Sequence, residues 1–138
     1  MERRDYIIDE IQKFGQMVLG LIGKLAKRRQ EEQYDFSLSM ADQEFESEAG
    51  FSLRMLAEMD PGSLDAFIRN HPELNATNLE LLADLLIELS DDPGCDPKTF
   101  LSRGRDLLEK VTGLDKTFSA EREGKIAFIN SRLQRLDS

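Results

Sequence analysis

Apolar residues return every three or four positions along most of this chain, and that pattern restricts the fold more than any motif does. Ile7, Ile8, Ile11, Phe14, Val18, Leu21, Ile22 and Leu25 keep the spacing for about five turns, which predicts one long helix over residues 3–30. It ends in Lys24, Lys27, Arg28 and Arg29, where the negative end of the helix dipole favours cations. Placed at 100° per residue, its apolar positions run from Met17 through Ile7 and Val18 to Leu19 over roughly 200°. One neighbour cannot cover such an arc. The helix is expected to meet two helices of its own chain, or one of its own and one of a second copy.

The same spacing predicts six further helices. Leu38, Ala41 and Phe45 give a helix over 35–49 with Gly50 as its stop. Phe51, Leu53, Leu56 and Met59 give one over 51–58. Asp60 followed by Pro61, a cap residue before a proline suited to the first helical position, starts another over 61–70, closed by His71 and Pro72. Asn75 caps a leucine-rich helix over 75–91, the most apolar of the set and so the one expected to be most buried. Asp96 and Pro97 start a helix over 97–112 that carries Phe100, Leu101, Leu107, Leu108 and Val111, with Gly113 as its stop. Ser119 caps a last helix over 120–136 bearing Ile126, Ile129, Leu133 and Leu136. No segment alternates in the manner of a strand with hairpin signals. The fold class read from this is all-α: antiparallel helical hairpins stacked in an array or compact bundle, in one domain of 138 residues.

Within the first helix Gly15, Gly20 and Gly23 each cost about 1 kcal/mol relative to alanine. Close packing or tolerated defects explain them more simply than a dimerisation groove. The single cysteine, Cys95, cannot form an internal disulfide. The first residues, Met1 to Asp5, lead into charges, and the longest apolar stretch, residues 17–22, falls far short of the roughly 20 residues that cross a bilayer. A cytoplasmic protein without membrane association is expected.

Charge is unevenly spread. Residues 1–30 carry +3, residues 31–96 carry −15 and residues 97–138 carry +3, summing to the net −9. A fold that lays both ends against the middle neutralises much of this internally. One that does not offers an acidic surface that repels phosphates. Nucleic-acid binding is disfavoured in both cases.

Catalytic chemistry has little to stand on. The one histidine, His71, sits between Asn70 and Pro72 and reads as a helix-end residue. Cys95 follows Pro93 and Gly94 in an acidic loop that should raise its pKa, which argues against a reactive thiol. One His and one Cys cannot supply an N/S zinc site. Asp91, Asp92 and Asp96 fail the EF-hand spacing, because proline holds the third position and no glutamate the twelfth. Gly20 to Gly23 lack the Lys-Ser or Lys-Thr of a phosphate loop. No enzyme activity, cofactor or metal is expected.

Glu80, Asp84, Glu88 and Asp91 form one stripe about 80° wide on the leucine-rich helix. Like charges at this spacing repel unless water or cations lie alongside, and Lys98, Arg105 or Lys110 of the following helix are candidates. The sharper reading makes the stripe a surface for a basic segment of a partner protein. Glu80→Lys with Glu88→Lys would then leave the fold intact and abolish capture of that partner.

The chain resembles a family of short bacterial proteins of unknown function that look like tetratricopeptide repeats. The residues that carry the likeness are Asp5, Tyr6 and Ile7 opening the first helix, Tyr34 to Leu38 opening the second, Asp60 with Pro61, and Leu79, Leu82, Ala83, Leu85, Leu86 and Glu88 on one helix. It departs from the repeat pattern in having no Trp and in placing Ser37 and Glu44 where small alanines would ease packing. The resemblance implies antiparallel helix pairs used for binding proteins and implies no catalytic residues. The function expected is a non-enzymatic adaptor for another protein or peptide. The alternative is a self-associating structural protein, a homodimer through the first helix.

Overall fold

Short polar side chains decide where the helices begin. The structure, a computed structural model, describes residues 3–31 and 33–137; Met1, Glu2, Glu32 and Ser138, which enter the charge tally or the N-terminal reading above, lie outside them. Among the described residues there are seven helices and no strand: α1 (Arg3–Gln30), α2 (Leu38–Ala49), α3 (Leu53–Glu58), α4 (Pro61–Arg69), α5 (Ala76–Leu89), α6 (Pro97–Leu114) and α7 (Ala120–Leu136). The all-α class read from the periodicity is the one observed.

Ser37 and Ser52 hold α2 and α3 to later starts than the apolar spacing predicts, because their hydroxyls accept from the amides of Met40 (3.3 Å) and Met55 (2.8 Å). Asn75 and Ser119 cap α5 and α7 in the expected way, and Asp60 accepts from the Gly62 amide at 3.1 Å. Asp96 differs: its carboxylate takes the Thr99 hydroxyl at 2.7 Å and no helix amide. Gly50 ends α2 in the left-handed region at φ 83°, as read. Gly113 ends nothing. The helix continues to Leu114, and the Asp115 amide donates to Val111 at 2.7 Å.

α5 lies between α1 and α6, with α7 packed on α6, α2 on α1, and α3 against both α6 and α2. Leu79, Leu82, Leu85, Leu86 and Leu89 of α5 are fully buried with Val18 and Leu25 of α1 and Leu101, Leu107 and Leu108 of α6. Phe14, Phe45, Phe51 and Phe67 continue this core as edge-to-face pairs with centroids 4.9–5.9 Å apart. His71 stacks on Phe67 at 4.1 Å, and its Nδ1 lies 2.8 Å from the Phe67 carbonyl, the helix-end placement expected of it. α2 and α5 both pack on α1, and the edge of its wide apolar arc, Ile8 and Leu19, stays about half exposed.

Buried polar groups fix how these helices meet. Asn78 of α5 donates to the Ile11 carbonyl of α1 (2.9 Å) and to Glu73 (2.8 Å). A Cβ at Gly15 would lie 2.8 Å from the Asn78 side-chain oxygen, so this glycine permits the close approach, whereas Gly20 and Gly23 face open space. Asp92, 8% exposed, accepts from Arg28 (3.0 Å), the Leu38 amide (3.0 Å) and the Gly94 amide (2.8 Å), tying the α1–α2 connection to the α5–α6 loop. Arg103 of α6, also buried, donates to the Leu56 and Met59 carbonyls at the C-terminus of α3.

Candidate protein-docking cleft

α1 and α7 both run in the same direction as α5 and stand on either side of its outward face. The pairs that show this are Ile11 with Asn78 and Arg29 with Glu88 on one side, and Lys125 with Glu80 and Arg132 with Asp91 on the other. That outward face carries the acidic stripe. Glu80, Asp84 and Glu88 lie along α5, whereas Asp91, expected on the same helix, falls in the turn beyond its end at Leu89; cations from both flanking helices reach these acids.

Lys125 bonds Glu80 at 2.9 Å and Asp84 at 3.0 Å, Arg132 bonds Asp91 at 3.0 Å, and Arg29 bonds Glu88 at 2.6 Å. Arg122, a buried residue in the first turn of α7, lies 3.7 Å from Glu80 and donates to the Thr112 hydroxyl and the Thr117 carbonyl. The cations are not those expected from α6. Lys98 pairs with Asp137, Arg105 with Asn130 and Lys110 with Asp65. The reason is geometric: α6 turns its apolar face to α5, and its basic side chains reach α7 or α4 instead. The two basic ends of the chain do lie against its acidic middle, through Lys24 with Glu44 and Arg28 with Asp92 as well as the stripe.

Burial raises the Asp84 carboxyl above the ordinary aspartate range, and Lys125 beside it only partly offsets this. Burial alone would lower Lys125, but its bonds to Glu80 and Asp84 outweigh that and hold it above the usual lysine value. Cys95, on the far loop, is pushed up to about 12 by burial and by Asp92 and Asp96, which makes it a poor nucleophile as its acidic surroundings predict. Among the described residues no group of three or more His, Cys, Asp or Glu could hold a metal ion, and no helix is long and apolar enough to cross a membrane.

Between α1 and α7 the stripe floors an open cleft of about 500 Å³, lined by Ile22 of α1, Asp84, Ile87 and Glu88 of α5, and Glu121, Gly124, Lys125 and Phe128 of α7. Three carboxylates and one ammonium line it, with Arg29 on Glu88 and Arg132 over Phe128 at its edges. Its apolar lining is Ile22, Ile87 and Phe128, and the Phe128 ring is 46% exposed, with Arg132 over it at 5.8 Å. Leu19 (53%) and Ile8 (45%) extend the apolar rim along α1. A larger furrow of about 720 Å³ runs between α1 and α2 past Met17, Gly20 and Met40, and Lys24 and Glu44 form an ion pair in it.

Sequence spacing identified the three acids on α5 and placed Asp91 on a helix that ends before it. It did not identify Ile22, Ile87 and Phe128 as one lining, because they lie on three helices that only tertiary packing brings together. Phe128 does carry a local signal, an aromatic ring off the Ile126, Ile129 and Leu133 face of its helix. No protein-family model matches the chain, and no curated protein or solved structure matches it.

Proposed function

We propose that this chain is a non-enzymatic helical adaptor that receives a basic amphipathic helix of another protein in the cleft between α1 and α7. The observation that carries the reading is the exposed Phe128 ring in a cleft shared with Ile22 and Ile87 and bordered by Asp84, Glu88 and Glu121. A bound helix that sets apolar side chains on Ile22, Ile87 and Phe128 and cations beside the three carboxylates uses the usual helix-in-groove recognition. The likeness of the sequence to tetratricopeptide-like proteins supports the same class, and a lone cysteine accords with a reducing, cytoplasmic setting.

The pairing of the stripe changes what a charge reversal tests. Glu80 holds Lys125 and Glu88 holds Arg29, so Glu80→Lys with Glu88→Lys breaks contacts to α7 and α1 as well as altering the cleft. A cleaner test replaces Phe128 by a photoreactive phenylalanine analogue and irradiates cells that express the chain, with Glu46 on α2 as the control position. The expected result is a discrete adduct from position 128, absent from position 46 and weakened by raised salt in extracts. An adduct of twice the chain's mass would favour the self-associating reading instead. No adduct from 128, or the same set from both positions, would overturn the docking cleft.

A further inference from the structure

The two ends of the cleft between α1 and α7 differ in charge. At the end where α5 and α7 begin, Lys125 alone serves three carboxylates, Glu80 at 2.9 Å, Asp84 at 3.0 Å and Glu121 at 3.8 Å. Buried Arg122 offsets little of this, because it lies 3.7 Å from Glu80 and is turned equally to Asp115 at 3.6 Å and to the Thr112 and Thr117 oxygens. Glu121 and Glu123 open α7, and the Glu121 side chain is 82% exposed. Carboxylate is in excess here. About three turns further along, Arg29 holds Glu88 at 2.6 Å and Arg132 holds Asp91 at 3.0 Å, one guanidinium for each acid. Lys27 in the last turn of α1 and Arg135 in that of α7 add cations beyond. Ile22, Ile87 and Phe128 lie between the two ends, and Gly124, with nothing within 4 Å of a Cβ, leaves the wall open beside them.

We propose that the helix received in this cleft lies antiparallel to α1 and α7, with its cations in its C-terminal half beside Asp84 and Glu121 and with acidic residues in its N-terminal half beside Arg29 and Arg132. This rests on the docking reading of the cleft and adds the orientation and charge layout of the partner. Charge fixes where the basic half goes. A cation at the Glu121 end meets surplus carboxylate, whereas one at the Arg132 end meets acids that already have their guanidiniums. The helix dipoles then fix the direction of the chain. α1, α5 and α7 run parallel, so a fourth helix is favoured when it opposes them. A helix running parallel would have to carry those cations in its own first turns, where its dipole repels them. From Glu121 to Arg132 is about 16 Å along α7, so about eleven residues of partner span both ends. Apolar side chains every three or four positions over that length meet Ile22, Ile87 and Phe128.

The probe is a synthetic helix of about sixteen residues, long enough to span both ends, with leucines along one face, glutamates in its first two turns and lysines in its last two. It is added to the full-length chain at low salt and carries a nitroxide at one terminus. With the label at the C-terminus, the amide signals of residues 121–124 should broaden most. With the label at the N-terminus, the strongest broadening should move to residues 129–132 and to Arg29. Glu121→Gln should weaken the peptide about threefold, the effect of losing one exposed charge pair, and the difference should vanish at 1 M sodium chloride. The opposite order of broadening, or equal broadening of both ends from either label, would overturn the orientation and leave the docking cleft standing. Unchanged affinity in Glu121→Gln would overturn the charge layout. No broadening in α1, α5 or α7 from either label removes the docking reading itself, so the failures are distinguishable.

Discussion

α5 and α7 both pack on α6, are joined to each other by ion pairs, and are held in different ways. In α5 half of the fourteen residues are buried, six of them apolar, and its outward acids are incidental to its seat. In α7 three of seventeen are buried and one of those is Arg122, so its apolar seat on α6 is narrow and ion pairs to α5 supplement it. Burial of a large aliphatic side chain contributes roughly 1.5–3 kcal/mol, whereas a partly exposed ion pair contributes about 0–1 kcal/mol and weakens with salt. The difference teaches that one small fold can combine a deeply buried helix with a neighbour held by a narrower apolar seat and by ion pairs.

The largest test of that contrast removes the apolar seat of α5. Leu82→Ala or Leu86→Ala should lower global stability by about 2–5 kcal/mol in chemical denaturation, because each leaves a cavity in the centre of the core. Ile129→Ala should cost less, about 2 kcal/mol at the lower end of such truncations, and amide exchange should show the loss concentrated in α7. A uniform loss across α1, α5 and α7 would mean that α7 is as integral as α5. Gly124→Ala acts in the other direction. Nothing lies within 4 Å of a Cβ there, so the alanine should strengthen α7 by up to about 1 kcal/mol and slow exchange in that helix alone.

The smallest effect is a pH dependence at Asp84. Its folded pKa is raised above 3.8 chiefly by burial, so the folded chain holds that proton more tightly than the unfolded chain does. Stability therefore rises as pH falls through the window between the raised value and 3.8. Compared with Asp84→Asn, the parent's denaturation midpoint should move upward on going from pH 6 to pH 4. A downward movement would show that the Lys125 pair, and not burial, dominates at this carboxylate.

Most of the architecture could be read from the spacing of apolar residues, since Ile7 to Leu25 and Leu79 to Leu89 each state a period and a face. Boundaries that depend on one side-chain bond could not. Ser37 and Ser52 look like ordinary polar residues until their hydroxyls meet the Met40 and Met55 amides, and Gly113 shows that a glycine near a helix end need not stop it. Glu80, Asp84 and Glu88 were legible as a row, but the end of α5 before Asp91 and the cations beside them were not. Lys125 and Arg132 lie 41 to 45 positions from their partners, and no local pattern records which helix will stand beside α5. Buried Arg103, Arg122 and Asp92 were hidden for the same reason: each is satisfied by groups distant in sequence or in a loop.

The most direct test of the account is native-state amide exchange of the full chain at 0.05 M and 1 M sodium chloride, conditions that span strong and weak screening, at about 10 Å or more and about 3 Å. The core amides of α5 and α6 should exchange only through global unfolding at both salts. Those of α7 between Arg122 and Leu133 should exchange faster at low salt and faster again at high salt. Exchange in α7 that matches α5 at both ionic strengths would contradict the claim that ion pairs supplement a narrow apolar seat in this helix.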